Sequence, residues 1–356
     1  MATNASATVL VTASQAHAFA TSVFLHSGVP QAHAITVADA LVLADLRGVD
    51  THGINRLPGY VDRIRHGVLN PSPTLAIVHK TPVMASLDAQ HTFGFVAGCV
   101  AIDACVAMAS NFGIGVCAVK NSGHYGMAAT YLLRAINAGY AAFAFTNASK
   151  AMPAWGSKES LLGTSPFAVG LPGGDKGNFV LDMSPSIVAR GKIRKAARRG
   201  EMIPEGWALD EEGRDTTDPV EALKGTVLPI GGPKGSGLAM MMDIFGGLLT
   251  GSSFAGNVND QYKVLDKPQG VGHWFMVFRP DIFLDSKEEY SERMGALFDR
   301  IRSSEKAAGV SQIFIPGEIE AAKERAQREG GMPFIQGELD TLHELAKSVR
   351  SSARLL

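Results

Sequence analysis

The stretch Gly113-Ile-Gly-Val-Cys-Ala-Val-Lys-Asn-Ser-Gly-His-Tyr-Gly126 decides the fold class. Residues 113–119 are apolar or small and predict a short buried strand. The polar residues 121–126 predict a turn, and the apolar spacing from about Met127 to Asn137 predicts a helix. Further strands are predicted at Tyr140–Phe145, Phe167–Leu171 and Phe179–Leu181. Strands that alternate with helices in this way are typical of an α/β fold.

Helices are predicted before this segment and after it. Among the first seventy residues, one helix begins after Ser14 and stops at Gly28, and a second covers about Gln31 to Arg47. A third is marked by apolar residues at helical spacing, namely Leu57, Tyr60, Val61 and Ile64. Later in the chain the patterns predict two helices, Ile187–Arg199 and Leu238–Leu249, and two strands, Trp274–Phe278 and Gln312–Ile315.

The overall composition excludes several classes of protein. The 356 residues include 33 basic and 34 acidic side chains, for a net charge of −1, so a dedicated nucleic-acid-binding protein is not expected. No apolar run approaches the ~20 residues of a membrane span, and the first residues lack the pattern of a secretory signal. The cysteines Cys99, Cys105 and Cys117 have no disulfide or zinc-site spacing. We therefore expect a soluble, cytoplasmic enzyme.

The segment between the second and third helices is rich in groups that bind anions or transfer protons. Arg47 and Arg56 flank the pair Thr51-His52. Two guanidinium groups suit the carboxylate of an oxo or hydroxy acid, and an imidazole beside them suits proton donation to a developing alkoxide. The alternative is a surface ion-pair network with the neighbouring aspartates. A metal site built on Asp50 and His52 is a weaker alternative, because no further ligands complete it.

Three glycine-containing loops are candidate phosphate sites. The loops Asn121–Gly126, Gly163–Pro166 and Gly231–Gly237 allow backbone N–H groups to approach a phosphate closely, or they are simply turns. His124 lies in the first loop and is interpreted either as a catalytic or as a helix-capping residue. No G-x-G-x-x-G motif follows the first strand, so an ordinary Rossmann domain is not predicted. The basic helix Ile187–Arg199 either recognises a phosphate or forms a solvated face.

The chain carries five motifs in order: Asp45-Leu-Arg-Gly-Val-Asp-Thr-His-Gly-Ile-Asn-Arg56, Asn121-Ser-Gly-His-Tyr-Gly126, Gly163-Thr-Ser-Pro166, Leu181-Asp-Met-Ser184 with Ala189-Arg-Gly-Lys192, and Gly232-Pro-Lys-Gly-Ser-Gly237. Together they resemble the type-2 malate/L-lactate dehydrogenase family, which includes sulfolactate and ureidoglycolate dehydrogenases and cyclic-ketimine reductases. The resemblance runs from about Ser14 to Arg350. It implies an NAD(P)-dependent homodimer with a non-Rossmann α/β cofactor domain at 76–284. It also implies a discontinuous helical domain at 1–75, to which about 285–356 returns.

The resemblance also implies roles for individual residues. Arg47 and Arg56 would bind the substrate carboxylate. Thr51, His52 and His124 would be catalytic, with His124 as the acid/base. The dinucleotide would be bound by His124, Tyr125, Gly126, Met127, Ala128, Thr164, Asp182, Met183, Ser184, Lys234, Gly235, Ser236, Pro316, Gly317 and Glu318. No metal is expected, and the resemblance does not distinguish NAD from NADP.

Three positions depart from the family pattern: Thr51 and Ser165 replace a more usual serine and asparagine, and Ala148 replaces an expected serine. The change at Ala148 bears on substrate identity more than on reaction type. We predict interconversion of a small 2-oxo acid and 2-hydroxy acid of the malate/lactate type. Reduction of a cyclic or N-alkyl imino acid of the piperideine-2-carboxylate type is the alternative on the same fold. A metal-dependent hydrolase using Asp50, His52 and His124 is a distant alternative.

Overall fold

The structure is a computed structural model that describes residues 8–355. Its strands are β1 (Thr8–Val11), β2 (Ile77–Thr81), β3 (Met84–Asp88), β4 (Ile114–Ser122), β5 (Ala141–Thr146), β6 (Lys150–Met152), β7 (Leu162–Gly163), β8 (Phe167–Leu171), β9 (Phe179–Met183), β10 (Ala208–Leu209), β11 (Thr226–Val227), β12 (Val271–Phe278) and β13 (Met332–Ile335). Its α-helices are α1 (Ala13–His26), α2 (Gln31–Leu46), α3 (Leu57–Arg65), α4 (Gly94–Phe112), α5 (Ala129–Asn137), α6 (Arg190–Arg199), α7 (Pro219–Lys224), α8 (Pro233–Asp243), α9 (Lys287–Arg302), α10 (Glu318–Gly330) and α11 (Gln336–Ser348).

A seven-stranded mixed sheet forms the centre, in the order β2-β3-β4-β12-β5-β8-β9. Strands β3 and β4 are parallel, and every other neighbouring pair in this sheet is antiparallel. A doubly wound dinucleotide-binding fold has a mostly parallel sheet, so this connectivity differs from it. The predicted α/β class is confirmed, because helices α4 and α5 pack on the sheet.

Helix α4 joins the parallel strands β3 and β4 and supplies one side of the main core. Its buried residues recur at helical spacing, as Ala97, Ala101, Cys105 and Met108. They pack against sheet residues that include Phe275 of β12. This helix has the length and apolar composition to cross a membrane, but half of its apolar window is buried inside the protein. That burial is what a core helix requires.

The two ends of the described chain meet in a second core. Strand β1 pairs antiparallel with β13, placing Val11 opposite Met332. Apolar residues of α1, α2 and α3 pack with those of α11, including Leu342 and Leu345. Helix α10 contacts α2, whereas α9 contacts the turn Gly174–Lys176 beside the central sheet. The domain boundaries at 75 and about 285 stay a prediction.

Several predicted elements differ from the observed ones. The N-cap of α1 is Thr12, not Ser14, because Thr12 and Gln15 form a reciprocal capping box. The first seventy residues are not all helical, since β1 precedes α1. Residues 312–315 form no strand: the backbone N–H of Ile315 donates to the Glu318 carboxylate instead of to a ladder partner.

The predicted glycine-rich loop at 231–237 also differs in structure. Helix α8 begins at Pro233, so Lys234, Gly235 and Ser236 form its first turn. Proline at the first position of a helix loses no hydrogen bond, because that N–H has no partner within the helix. The helix then continues as one π-helical segment, Ile244–Leu248.

Candidate active site

A cavity of about 1070 Å³ opens between the end of α2, the turn after β4 and helix α6. Most of the predicted site residues line it: Arg47, Thr51, His52, Arg56, His124, Tyr125, Gly126, Met127, Ala128, Thr164, Asp182, Ser184, Pro316 and Gly317. Small-molecule sites usually measure ~300–1,000 Å³. The cavity therefore has room for a ligand as long as a dinucleotide.

The loop between α2 and α3 is held in place by a buried carboxylate. It consists of two single turns of 3-10 helix, Asp50–His52 and Ile54–Arg56. Asp45, which is 6% exposed, accepts a hydrogen bond from the backbone N–H of Ile54 at 2.8 Å. Burial raises the pKa of Asp45 to about 7. The predicted surface network of Asp45 with the arginines is therefore wrong: this aspartate binds backbone in the core.

Two imidazole rings lie next to each other in the lining of the cavity. The rings of His52 and His124 stack with centroids 5.5 Å apart and planes 22° apart. The Nδ1 atom of His52 is 2.9 Å from the hydroxyl oxygen of Thr51. Desolvation, reinforced by the charge of Arg56, lowers the pKa of His52 to about 4. The structure thus brings together the three residues that were predicted to be catalytic.

His124 is held in place by Tyr60 of α3, by Gly126 of its own turn and by Gln269 of the segment before β12. Its Nδ1 atom lies 2.7 Å from the hydroxyl of Tyr60 and accepts a hydrogen bond from the backbone N–H of Gly126 at 3.3 Å. Its own backbone N–H donates to Oε1 of Gln269 at 2.9 Å. Burial, with smaller effects of Arg56, His52 and His273, holds the pKa of His124 well below its usual range.

Sequence reasoning missed Tyr60 and Gln269 as parts of this site. Tyr60 was assigned to the apolar stripe of α3, and its ring does pack there, at 3% exposure. Its hydroxyl was the available signal, because a buried tyrosine hydroxyl requires a hydrogen-bond partner. Gln269 lies in an irregular segment after residue 255, where no local pattern identifies its partner.

The two predicted carboxylate-binding arginines have different surroundings. Arg56 lies over the ring of Tyr262, with 5.5 Å from its guanidinium carbon to the ring centroid, and donates from Nε to the carbonyl of Thr51. Arg47 is 3% exposed, and its Nη1 donates to Glu324 at 2.9 Å. Arg56 is thus beside the histidines, whereas Arg47 is already paired with a carboxylate.

One wall of the cavity suits anionic groups, namely the phosphates of a dinucleotide or a second acidic group of a substrate. Arg190, Arg194 and Arg198 are spaced four residues apart on α6 and all line the cavity, while Ile193 and Ala196 of the same helix are buried. Guanidinium groups at this spacing form one cationic stripe, which matches an anionic ligand. The predicted basic helix therefore faces the cavity with part of its surface.

The N-terminus of α5 is occupied by a side chain from β9. Asp182 accepts a hydrogen bond from the backbone N–H of Ala129 at 2.8 Å. Enclosure by the protein raises the pKa of Asp182 to about 6, against the opposing effects of that hydrogen bond and of the charge of Arg47. Asp182 thus orders the segment 124–129, which forms the floor of the cavity.

Five predicted cofactor residues do not line this cavity: Met183, Lys234, Gly235, Ser236 and Glu318. The hydroxyl of Ser236 accepts the backbone N–H of Trp155, and Glu318 accepts hydrogen bonds from Arg302 and from the N–H of Ile315. Of the departures from the family pattern, Ala148 lines the cavity and Ser165 is buried behind it. Within residues 8–355, no group of three or more His, Cys, Asp or Glu side chains is placed to hold a metal ion.

Comparison with known proteins identifies the family. Residues 11–343 match the family model described as malate/L-lactate dehydrogenase. The chain is 39% identical over 306 residues to L-sulfolactate dehydrogenase of Methanocaldococcus jannaschii, covering 85% of this chain and 87% of that protein. It is 31% identical over 311 residues to ureidoglycolate dehydrogenase (NAD(+)) of Escherichia coli, covering 87% and 88%.

Solved structures agree with the sequence comparison. The M. jannaschii sulfolactate dehydrogenase structure superposes with a TM-score of 0.91 at 34% identity, covering 98% of each chain. Delta1-piperideine-2-carboxylate reductase from Pseudomonas syringae superposes with a TM-score of 0.86 at 25% identity, covering 95% of this chain and 100% of that one. The chain therefore belongs to the malate/L-lactate dehydrogenase family.

Proposed function

We propose that this enzyme interconverts a small 2-oxo acid and the corresponding 2-hydroxy acid by hydride transfer, with NAD or NADP as cofactor. The observation that carries the proposal is the convergence of Arg56, His52 and His124 in one long cavity. A guanidinium binds the substrate carboxylate, and imidazoles beside it bind the adjacent oxygen. The rest of the cavity, which is lined by the segment 124–129 and by the cationic stripe of α6, would bind the dinucleotide.

The residues of the chain would orient the substrate, stabilise charge and manage the proton. Bound nicotinamide supplies or accepts the hydride. Arg56 fixes the carboxylate so that the neighbouring carbon faces the hydride path, which removes an entropic cost. Hydride transfer to a carbonyl carbon leaves negative charge on its oxygen, and the ring N–H groups of the cavity stabilise that charge. Arg47, already bound to Glu324, would hold the end of α2 in place.

The imino acid alternative is supported by the similarity to the Pseudomonas syringae reductase. An imine of a 2-oxo acid has the same carboxylate beside the acceptor carbon, so Arg56 would bind both substrates. The two functions differ at the atom next to the histidines, which is oxygen in an oxo acid and protonated nitrogen in an imine. A cavity whose histidines are neutral accommodates a cationic imine without direct charge repulsion.

We also propose that the protein is a cytoplasmic homodimer. Met240, Ile244 and Leu248 lie on successive turns of α8 and its π-helical extension and are 45%, 45% and 51% exposed. An apolar face of this kind is typical of an interface between identical subunits. The cysteines Cys99, Cys105 and Cys117 are free thiols, as in a reducing compartment.

The dimer is tested by Ile244→Asp combined with Leu248→Asp. This double variant is expected to elute as a monomer in size-exclusion chromatography with light scattering. Phe283→Asp, at a residue that is 94% exposed elsewhere, serves as the control and is expected to remain dimeric. A dimeric double variant would show that the interface lies on another surface.

The activity is tested by following absorbance at 340 nm with NADH and NADPH in turn. The panel contains pyruvate, oxaloacetate, 3-sulfopyruvate, pyruvate with methylamine, and piperideine-2-carboxylate. We expect an oxo acid to cause oxidation of the reduced cofactor, and we expect this activity to persist when EDTA is added. Turnover of cyclic imines alone would support the alternative, and no turnover with any of them would contradict both.

A further inference from the structure

We propose that Tyr60 is a positioning residue that keeps His124 neutral with its ring proton on Nε2. His124 would then be a fixed hydrogen-bond donor to the substrate oxygen, and His52 would exchange the proton. The role at the substrate rests on the proposed function. The position of the ring proton does not, and it can be measured in the protein alone.

The Nδ1 atom of His124 has two hydrogen-bonding neighbours, the backbone N–H of Gly126 and the hydroxyl of Tyr60. The backbone N–H of Gly126, at 3.3 Å, can only donate a hydrogen bond. Nδ1 must therefore present its lone pair in this direction and cannot carry a proton. A neutral imidazole has one protonated nitrogen, so the proton is on Nε2.

The hydroxyl of Tyr60 leads to the same assignment independently. It lies 2.7 Å from Nδ1 and, among residues 8–355, makes no other hydrogen bond. Tyr60 is 3% exposed, so its proton has no route to bulk water. If Nδ1 were protonated, the tyrosine oxygen would have to accept, and both its own proton and the Gly126 N–H would be left without acceptors. Buried polar groups are rarely left in that condition.

The groups packed around the ring oppose a positive charge on it. His52 and Arg56 face it from the loop 50–56, Tyr60 from α3, and the neutral buried His273 lies beyond Tyr125 on β12. None of these carries a negative charge at neutral pH. The low pKa of His124 agrees with a ring that stays neutral through the physiological range.

The Nε2 side of the ring is the side that is available to a substrate. His124 lines the cavity, and its Nε2 has no hydrogen-bond partner in the part of the chain that the structure describes. A proton on Nε2 is therefore available to a substrate oxygen. It cannot be transferred at reasonable cost, because removing it from a neutral imidazole would leave a buried anion. Nε2 cannot accept a proton either, since it already carries one.

His52 has the chemical freedom that His124 lacks. The neighbour of its Nδ1 is the Thr51 hydroxyl, which can accept as well as donate, so Nδ1 can carry the proton and leave the lone pair on Nε2. In the oxidation direction the substrate C–H bond breaks and its electron pair leaves as hydride to the oxidised nicotinamide. The O–H proton moves to Nε2 of His52 while Nδ1 releases its proton to the exposed Thr51 hydroxyl, so the ring stays neutral, and the C=O bond forms while His124 keeps its hydrogen bond to the oxygen.

The ring proton is measured by NMR on protein with ¹⁵N-labelled histidine, with the His124 signals assigned by their loss in His124→Gln. In the unsubstituted protein we expect an unprotonated Nδ1 and a protonated Nε2 from pH 5 to pH 8. In Tyr60→Phe we expect a mixture of tautomers and a higher pKa of His124, because the donor to Nδ1 is gone. Tyr290→Phe, which removes a 2.7 Å hydrogen bond to the carbonyl of Pro172 far from the site, is the control and should leave the His124 signals unchanged. A protonated Nδ1 in the unsubstituted protein, or unchanged signals in Tyr60→Phe, would overturn the proposal.

Kinetic measurements on variants show whether His124 acts as a hydrogen-bond donor or as an acid. Glutamine retains an N–H donor but cannot exchange a proton at neutral pH, so His124→Gln should remain at least about tenfold more active than His124→Ala, with an unchanged pH profile of kcat/KM. Tyr60→Phe should lower kcat about tenfold and change KM by less than about twofold. Equal inactivation by glutamine and alanine would overturn the assignment. If no oxo acid, imine or cofactor were turned over at all, the proposed function would fail, while the NMR result would still decide the tautomer.

Discussion

Asp45 and Gly53 lie in direct contact, with the carboxylate of Asp45 against the α-carbon of Gly53. A β-carbon on Gly53 would overlap that carboxylate, whose Oδ2 atom accepts the N–H of Ile54 at 2.8 Å. The end of α2 thereby holds the short loop that carries Thr51, His52 and Arg56. The geometry of the candidate site depends on this buried contact.

The first prediction concerns the effect of Asp45 on stability as a function of pH. Its folded-state pKa of about 7 lies above the ordinary 3.8, so the folded protein binds more protons than the unfolded chain between these values. The contribution to the unfolding free energy therefore falls as pH rises from about 4 to about 7, by about 4 kcal/mol in total. Asp45→Asn removes this pH-dependent contribution to the unfolding free energy, because an amide does not titrate. The variant should gain stability relative to the unsubstituted protein as the pH rises from about 4 to about 7.

Denaturant unfolding of both proteins at fixed protein concentration checks this sign. The difference between their unfolding free energies should change in favour of Asp45→Asn as the pH increases. If the unfolding free energies of the two proteins changed in parallel with pH, Asp45 would be charged at low pH or its carboxylate would be hydrated. The activity of Asp45→Asn is expected to persist, since an amide oxygen also accepts the N–H of Ile54.

The second prediction separates the two arginines. Arg56→Gln removes the guanidinium beside the histidines, so kcat/KM for a 2-oxo acid should fall by about 10² or more while the melting temperature changes little. Arg47→Gln removes the buried ion pair between Arg47 and Glu324, which keeps only its second partner Arg328, so the main effect of this variant should be a loss of stability. Arg65→Gln on the surface of α3 is the control for both. Near-normal kcat/KM in Arg56→Gln would contradict its role at the carboxylate.

The third prediction concerns the cationic stripe of α6. Arg194 lines the same cavity as Arg56, and its charge contributes to lowering the pKa of Arg56. Arg194→Gln should therefore lower kcat/KM for oxaloacetate or 3-sulfopyruvate by about tenfold more than for pyruvate, which has no second acidic group. Lys195→Gln, on the same helix but outside the lining, is the matched control. Equal losses for mono- and dianionic substrates would place Arg194 at the cofactor.

The fourth prediction tests the turn after β4. Gly126 has φ of +75°, and a β-carbon there would overlap the ring of Phe95. Gly126→Ala should therefore lower stability by several kcal/mol and displace the N–H that donates to His124. Gly28→Ala is the control, because Gly28 has a similar φ of +82° and open space around its α-carbon. Thermal unfolding should show a larger loss of stability for Gly126→Ala than for Gly28→Ala. Equal losses of stability would mean that backbone strain, and not the overlap with Phe95, is the cause.

Much of the fold was predictable from local patterns. The strand Phe167–Leu171 matches its prediction residue for residue, and the ends of α2 were predicted to within one residue. Apolar periodicity, glycine stops and caps act over a few residues, so they are visible in the chain. The predictions were wrong where a segment distant in sequence determines the secondary structure. One example is β1, which becomes a strand because β13 pairs with it.

The residues of the candidate site also fall into two groups, those predicted from the sequence and those identified only in the structure. Arg56, His52 and His124 were predicted from motifs, and the structure brings them into one cavity. Tyr60 was read only as part of an apolar stripe, and Arg190, Arg194 and Arg198 only as a basic helix. Their directions depend on how α3 and α6 pack against the sheet, which a one-dimensional pattern does not contain.

The chain by itself therefore determined the kinds of helix and strand, the family and the chemical groups available for the reaction, because these follow from short-range spacing and residue type. Tertiary structure alone decided which groups meet. It paired Arg47 with Glu324, buried Asp45 beneath the loop 50–56 and placed the Tyr60 hydroxyl on His124. Hydrogen bonds and desolvation act over a few ångströms in space, whatever the separation along the sequence.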